Sequence, residues 1–278
     1  MSLRPSPVLH QKLSSSSRSW LSRQSRDPYV KERSASLYRS RSAYKLLELD
    51  RKWNSFLSNT DVRSVVDLGA APGGWSQVVA EKLGWINPKT FNAHNPNAES
   101  LPAFGLNDDE EVDERISWSA RAGRGVIVAV DLLHMSSIPG VQTLQMDFLS
   151  PEAVTAVKVA LRKPENPSGM ADVILSDMAA DFSGLKSRDV EMSLKICHSV
   201  FEFAKGNLRV QGSREGLLKE SSGGTLLLKH FAHPLLQGFC KEFLQPNFKY
   251  VQYIKPSASR AESAEGYWLC RGWKGSKS

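Results

Sequence analysis

The sequence predicts an α/β fold: a doubly wound, mostly parallel sheet that finishes in an antiparallel C-terminal hairpin. Three observations point there. The β-branched pair Val65-Val66 runs into the small-residue turn Asp67-Leu-Gly-Ala-Ala-Pro-Gly-Gly-Trp75, which feeds a helical pattern over 76–83. Downstream, short apolar runs alternate with amphipathic stretches, the rhythm of βαβ units. Several of those runs end in Asp or Lys, where a parallel sheet presents its carboxyl-terminal rim.

Taken in order, residues 1–26 hold Arg4, Lys12, Arg18, Arg23 and Arg26, a serine run at 14–17 and no acidic residue. An Arg- and Ser-rich, acid-poor start without an apolar core has the composition of an organelle transit peptide. A basic tail or a nucleic-acid-contacting arm would share that composition. The expected globular domain is 27–278. Ser42–Trp53 reads as a helix with Leu46, Leu47, Leu49 and Trp53 on its apolar face and Lys45 just inside it. The first strand is 62–68 and its helix 73–83. Residues 85–124 then break the rhythm with Pro88, Pro96, Pro102, an Asn-rich run and an acidic cluster from Asp108 to Glu114. This reads as a polar insertion, loop-like, leaving the sheet at the end opposite the carboxyl rim.

The pattern resumes with a buried strand, Gly125–Asp131, and another over Val141–Leu144 that leads to Asp147. Pro151–Leu161 is a helix with proline in its first turn. Ala171–Asp177 is the fourth strand, Arg188–Leu208 a long amphipathic helix, and Gly223–Lys229 the fifth strand. Pro234–Leu244 is a helix, Phe248–Ile254 the sixth strand, and Glu265–Arg271 a last strand paired with the sixth. No internal repeat is present.

Composition narrows the classes. At 278 residues, with 41% hydrophobic and 23% charged residues, the chain suits one soluble domain with extensions. No apolar run approaches the roughly 20 residues of a membrane span. Cys197, Cys240 and Cys270 are scattered, so neither a disulfide framework nor a zinc site is expected, and the histidines show no metal-ligand spacing. The formal charge of +7 favours a polyanionic partner.

The rim residues Asp67, Asp131, Asp147, Asp177 and Lys229 mark where chemistry would sit. The turn lacks both the Gly-x-Gly-x-x-Gly spacing and a Gly-Lys-Ser/Thr, which argues against a dinucleotide and a P-loop nucleotide. An acid ending the second strand can accept hydrogen bonds from ribose hydroxyls, and one ending the third can reach an adenine amino group. Trp75 either packs on such a ligand or belongs to the helix–sheet core. The set suits an adenosine cofactor without a diphosphate, and S-adenosyl-L-methionine is one.

Five separated motifs now make a specific resemblance. Asp67-Leu-Gly-Ala-Ala-Pro-Gly-Gly-Trp-Ser-Gln77, Asp131-Leu-Leu133, Asp147-Phe148, Ser176-Asp-Met-Ala179 and Lys255-Pro-x-x-Ser-Arg260 resemble the FtsJ/RrmJ family of S-adenosylmethionine-dependent RNA ribose 2′-O-methyltransferases. The likeness runs from about Trp20 to Trp273, with breaks at 85–124 and over 206–222. With its basic leader, the chain is most similar to members that modify mitochondrial large-subunit rRNA, implying a uridine as target and the mitochondrial matrix as location. The resemblance implies a tetrad of Lys45, Asp177, Lys229 and Glu265, with Lys229 as the proposed base. It implies cofactor contacts at Gly69, Gly73, Trp75, Asp131, Asp147 and Asp177, a Rossmann-like methyltransferase sheet, and no metal. Two departures stand out: Ala180-Asp181-Phe182 where members show Pro-Asn, and the insertion at 85–124, which has no counterpart.

The residue types suit that chemistry. Methyl transfer to a ribose hydroxyl is an in-line displacement at carbon that needs the hydroxyl aligned and its proton accepted. A lysine base must have its pKa lowered, by burial or by a second ammonium, whereas carboxylates raise it. Two lysines and two acids give opposing effects, so either Lys229 takes the proton or it orients the oxygen while Asp177 takes it. RNA, as rRNA or a large-subunit precursor, would cross the same rim. Arg33, Arg39, Arg41, Lys255 and Arg260 would meet its phosphates, and Tyr38 or Tyr44 a splayed base. A nicotinamide-dependent dehydrogenase would need the missing fingerprint. A tRNA- or cap-modifying enzyme, or an inactive rRNA-binding assembly factor, remains open, although binding alone has no need of a complete tetrad.

Overall fold

The structure, a computed structural model, describes residues 38–87, 123–179, 184–212, 223–259 and 263–275. The basic leader, Arg33, the body of the insertion, Ala180-Asp181-Phe182 and Arg260 lie outside them. In chain order the elements are α1 (Ser42–Lys52), β1 (Ser64–Leu68), α2 (Gly74–Lys82), β2 (Val126–Asp131), β3 (Val141–Gln145), α3 (Pro151–Leu161), β4 (Val173–Ser176), α4 (Lys186–Asn207), β5 (Thr225–Phe231), α5 (Pro234–Phe239), β6 (Phe248–Ile254) and β7 (Glu265–Trp273). The predicted helix over 234–244 is α-helical only to Phe239, then widens into a π turn over Cys240–Leu244.

The seven strands form one sheet in the order β3-β2-β1-β4-β5-β7-β6. β1 pairs in parallel with β2 and β4, and so do β2 with β3 and β4 with β5. β7 is antiparallel to both β5 and β6. The expected hairpin is therefore present, but its second strand slots between the fifth and the sixth. This places Lys229 opposite Tyr267 and Phe231 opposite Glu265.

Each strand carries apolar side chains on both faces, the pattern of a sheet covered on both sides. On one face Val65, Ile127, Leu175, Leu227 and Leu269 pack with Leu46 and Leu49 of α1 and Val78 and Val79 of α2. On the other, Val66, Val128, Ile174, Leu226 and Trp268 pack with Val157 of α3 and Val200 and Phe201 of α4. The two ends of the insertion meet at the amino-terminal rim: the Arg124 amide donates to the Leu83 carbonyl at 2.9 Å, and the Val126 amide to Arg63 at 2.6 Å. All three cysteines are free thiols. Among the described residues no helix is long and apolar enough to cross a membrane.

Candidate active site

The turn after β1 is built by backbone geometry. Gly69 has φ +69°, and its amide donates to the Val130 carbonyl at 2.9 Å. A Cβ at Gly69 would lie 2.2 Å from Met178 Cγ, so only hydrogen leaves room for the Ser-Asp-Met-Ala segment to lie against the turn. Gly73, at φ +106°, precedes the first residue of α2, and a Cβ there would lie 2.8 Å from Met135 Sδ and 2.9 Å from Ile138 Cδ1. The segment carrying those two residues is held by Arg39, whose guanidinium donates to the Ser136 and Ser137 carbonyls, each at 2.7 Å. Arg39 thus clasps this loop with its cation instead of offering it to phosphate. Tyr38 is also engaged: its hydroxyl donates to Glu81 and its ring stands edge-on to Tyr44 at 5.7 Å.

Of the residues implied as cofactor contacts, Asp131 ends β2 and accepts the Ala71 amide on Oδ2 at 2.9 Å and the Leu133 amide on Oδ1 at 2.8 Å. Asp147 is exposed and accepts the Leu149 amide on Oδ1 at 2.9 Å. Beside them lies a recess lined by Ala70, Asp131, Leu133, His134, Met135 and Gln145. Leu133 lines it, and Leu132, Leu133 and Leu149, which follow the two carboxylates in the chain, are 66%, 68% and 54% exposed, high for leucine. Carboxylates next to uncovered apolar side chains and a glycine turn fit an adenosine group that is flat, apolar on its faces and polar at its edges. A larger recess at the amino-terminal rim, lined in part by Asp61, Asp172, Arg209, Lys249 and Arg271, contains none of these residues.

Trp75 is only 2% exposed, so it belongs to the core reading rather than the ligand-packing one. Its indole N–H donates to the Ser42 carbonyl at 2.8 Å, and its ring lies 5.8 Å from that of Tyr267. Asp67, one position before the end of β1, is buried and accepts the Ser76 hydroxyl at 2.7 Å. Burial pushes its carboxyl up to about 7; the Ser76 hydroxyl opposes this, while the charges of Asp177 and Asp131 add to it.

The structure brings Lys45, Asp177, Lys229 and Glu265 together on the α1 side of the sheet. Lys45 Nζ sits 2.6 Å from Glu265 Oε1, Lys229 Nζ sits 3.5 Å from Glu265 Oε2, and Lys229 Nζ sits 3.2 Å from Asp177 Oδ1. Positive and negative groups alternate along one line, with Asp177 the most open at 18% side-chain exposure against 10% for the others. Burial would raise the Glu265 carboxyl, but the Lys45 ammonium, the Ser259 hydroxyl and Lys229 outweigh it and hold it at about 2.

Two residues with no role assigned from sequence complete the cluster. The Tyr267 hydroxyl donates to Asp177 Oδ1 at 2.6 Å, and the Ser259 hydroxyl to Glu265 Oε1 at 2.7 Å. Tyr267 lies two positions after Glu265, hence on the same strand face, and burial together with Asp177 and Glu265 pushes its phenol well above its ordinary value. That spacing was the available signal. Among the described residues no group of three or more His, Cys, Asp or Glu side chains could hold a metal ion.

Known proteins share this architecture. A family model described as FtsJ-like methyltransferase matches residues 38–273. A protein of Afipia carboxidovorans named ribosomal RNA large subunit methyltransferase E is 36% identical over 94% of this chain and 90% of its own length. A protein of the same name from Rhodopseudomonas palustris is 35% identical over 94% of this chain and 86% of its own. A crystal structure from Plasmodium falciparum, described as that of a ribosomal RNA methyltransferase, superposes with a TM-score of 0.58 at 23% identity, over 86% of this chain and all of that one, and shows the shared fold.

Proposed function

The chain belongs to the FtsJ-like methyltransferase family, and from that premise we propose that it methylates a ribose 2′-oxygen of large-subunit ribosomal RNA with S-adenosylmethionine as donor. The observation that carries the reading is the alternating line Lys45–Glu265–Lys229–Asp177 at the carboxyl rim, next to a recess suited to adenosine.

The donor, when bound, supplies a methyl group on a sulfonium, whose charge the rim carboxylates favour. Asp131 and Asp147 would hold its adenosine, and Gly69 and Gly73 let the backbone come close. Lys229 and Asp177 would take the hydroxyl proton as the oxygen receives the methyl carbon from the donor, which leaves with the electron pair of the bond it gives up. These two groups stand 3.2 Å apart, so either is within reach of the hydroxyl proton. Glu265 and Lys45 fix Lys229 from behind, and Tyr267 fixes Asp177 from the side. Such preorganisation is where enzymatic rate comes from when reacting groups are few.

The names carried by the bacterial relatives support large-subunit rRNA as the substrate class. The acid-free basic segment 1–26 supports the mitochondrial matrix as location, and with it a uridine of mitochondrial large-subunit rRNA as target. The exposed Lys255, next to the tetrad, would meet phosphate, giving binding that weakens steeply with salt.

The deciding experiment supplies donor with a labelled methyl group to mitochondrial rRNA or large-subunit particles lacking the modification, with Lys229→Ala in parallel. Label on one ribose 2′-oxygen, lost in the variant, is the expected result. Donor binding without label on any RNA would instead indicate a binding-only assembly factor, and label on tRNA a different substrate class.

A further inference from the structure

Helix α1 presents a polar stripe to the connection between β6 and β7. Arg41, Lys45, Glu48 and Lys52 follow at spacings of four, three and four residues, so they share one helix face. Lys45 holds Glu265 at the start of β7. Arg41 Nη2 donates to the Ala258 carbonyl at 3.0 Å, and Lys52 Nζ reaches Ser257 Oγ at 3.4 Å. Glu48 makes a two-pronged contact: Oε1 accepts the Ser257 amide at 2.8 Å and Oε2 the Ala258 amide at 2.9 Å.

We propose that Glu48 is a positioning residue for methyl transfer, gripping two successive peptide N–H groups so that Ser259 is delivered to Glu265. This rests on the methyl-transfer reading of the tetrad. The step from grip to chemistry is short. Ser259 follows the held peptides directly, and its own amide closes a turn onto the Pro256 carbonyl at 3.1 Å. Its hydroxyl then donates to Glu265 Oε1, the same oxygen that binds Lys45. Glu265 therefore receives one donor from α1 directly and another through a connection that α1 itself holds.

A carboxylate is suited to this task because its two oxygens match the spacing of two adjacent amides, and charge-assisted bonds are the strong ones. Burial would raise the Glu48 carboxyl, but Lys52 and the two amides outweigh it and hold it at about 2, so the grip stays charged across the working range. The amide of a glutamine could accept only one of the two N–H groups and would turn its own donors toward the other. The connection would loosen while the core face of α1, with Leu46 and Leu49, stayed packed.

The test compares the full-length protein with Glu48→Gln, Ser259→Ala, the double variant and Ser257→Pro, which deletes one gripped N–H, together with the Ser257 hydroxyl that Lys52 reaches, while leaving every residue of α1 in place. Glu48→Gln is expected to lower kcat about tenfold with KM for the donor within about twofold. In the double variant the Ser259 change should cost less than about twofold more, because both act through the same hydroxyl. Ser257→Pro should reproduce the kcat loss, which keeps the proposal testable should Glu48→Gln fail to fold. Full kcat in Glu48→Gln and Ser257→Pro, or losses that multiply in the double variant, would overturn it. Should the wild type itself methylate no RNA, the functional reading falls. The grip is then judged by NMR titration of the Glu265 carboxyl, which should begin to protonate at higher pH in Glu48→Gln; an unmoved titration overturns it.

Discussion

Replacing Lys45 with methionine tests whether the tetrad is an electrostatic unit or a set of neighbours. In the intact site Glu265 titrates at about 2 against an ordinary 4.5, with its side chain 10% exposed. At 1.36 kcal/mol per pH unit, that depression corresponds to ~3 kcal/mol of stability above pH 4.5. The sign follows from the depressed value: the contribution is present above 4.5 and is lost as pH falls toward 2. Lys45 supplies the largest of the effects that overcome burial, so Lys45→Met leaves a carboxylate in a buried place with only Ser259 and the more distant Lys229. The expected cost at pH 7.5 is ~3 kcal/mol, within the 3–5 kcal/mol typical of breaking one side of a buried pair. Denaturant unfolding at pH 7.5 and at pH 3 should show the deficit shrink to roughly 1 kcal/mol at the lower pH, where the carboxyl of the unfolded chain is already protonated and most of the wild-type advantage is gone. Adding Glu265→Gln should restore most of the stability and none of the methyl transfer. A Lys45→Met protein as stable as wild type, or one that Glu265→Gln destabilises further, would refute the picture of a charge held in place by Lys45.

Three shorter predictions follow from other contacts. Tyr267→Phe removes the donor to Asp177 while keeping the ring against Trp75; kcat should fall about tenfold in the methyl-transfer assay, with stability reduced by only ~1 kcal/mol because Asp177 is open enough to take a water instead. Gly69→Ala forces a Cβ to within 2.2 Å of Met178 Cγ at φ +69°; donor affinity measured by calorimetry should drop, and Met178→Ala should recover the steric part but not the ~1 kcal/mol of backbone strain. Burial pushes His230 down to about 4, and among the described residues neither ring nitrogen meets a hydrogen-bond partner. The unfolded chain binds its proton first, so this histidine removes stability as pH falls from 6.5 toward 4. His230→Phe should flatten that acid limb in thermal unfolding and keep the stack on Trp268.

Much of the site was legible because it lies at the ends of strands that read as continuous apolar runs. Val126–Asp131 and Val173–Ser176 announce themselves by burial on both faces, and their polar ends fall on the carboxyl rim wherever the sheet goes. What local pattern does not carry is which edge a late strand joins. The hairpin of β6 and β7 was readable from two adjacent apolar runs, but both orders satisfy the same alternation. Only the observed one, with β7 against β5, puts Tyr267 across from Lys229 and Glu265 one step from it. Single cations are similarly ambiguous. Arg39 sits in a basic stretch that reads as a phosphate-contacting arm, yet the folded chain engages it with the Ser136 and Ser137 carbonyls. The first residues to escape sequence reading were thus those whose partners lie far away in the chain.

The polar stripe on α1 shows how such distant partners are nonetheless constrained. Its spacing was visible from the sequence as a polar run flanking the Leu46–Leu49 face, and a solvated stripe would have explained it equally well. The distinction is made by what lies opposite: two consecutive amides at Ser257 and Ala258 that donate to Glu48, and a carboxylate at Glu265 that meets Lys45. A helix lying on the sheet beside the antiparallel edge can reach both only if β7 pairs with β5. The strand order that sequence could not supply is therefore what turns a periodic run of charges into one side of the site. It also means that the stripe and the tetrad should fail together when β7 is displaced. A perturbation of β7, such as Leu269→Pro at the position opposite Leu227 of β5 and Gln252 of β6, is expected to abolish donor-dependent methyl transfer even where the parallel part of the sheet, followed by hydrogen exchange in β1, β2 and β4, stays protected. Loss of protection in β1 at the same time as in β7 would show that the sheet opens as one unit and that the edge has no separate role in assembling the site.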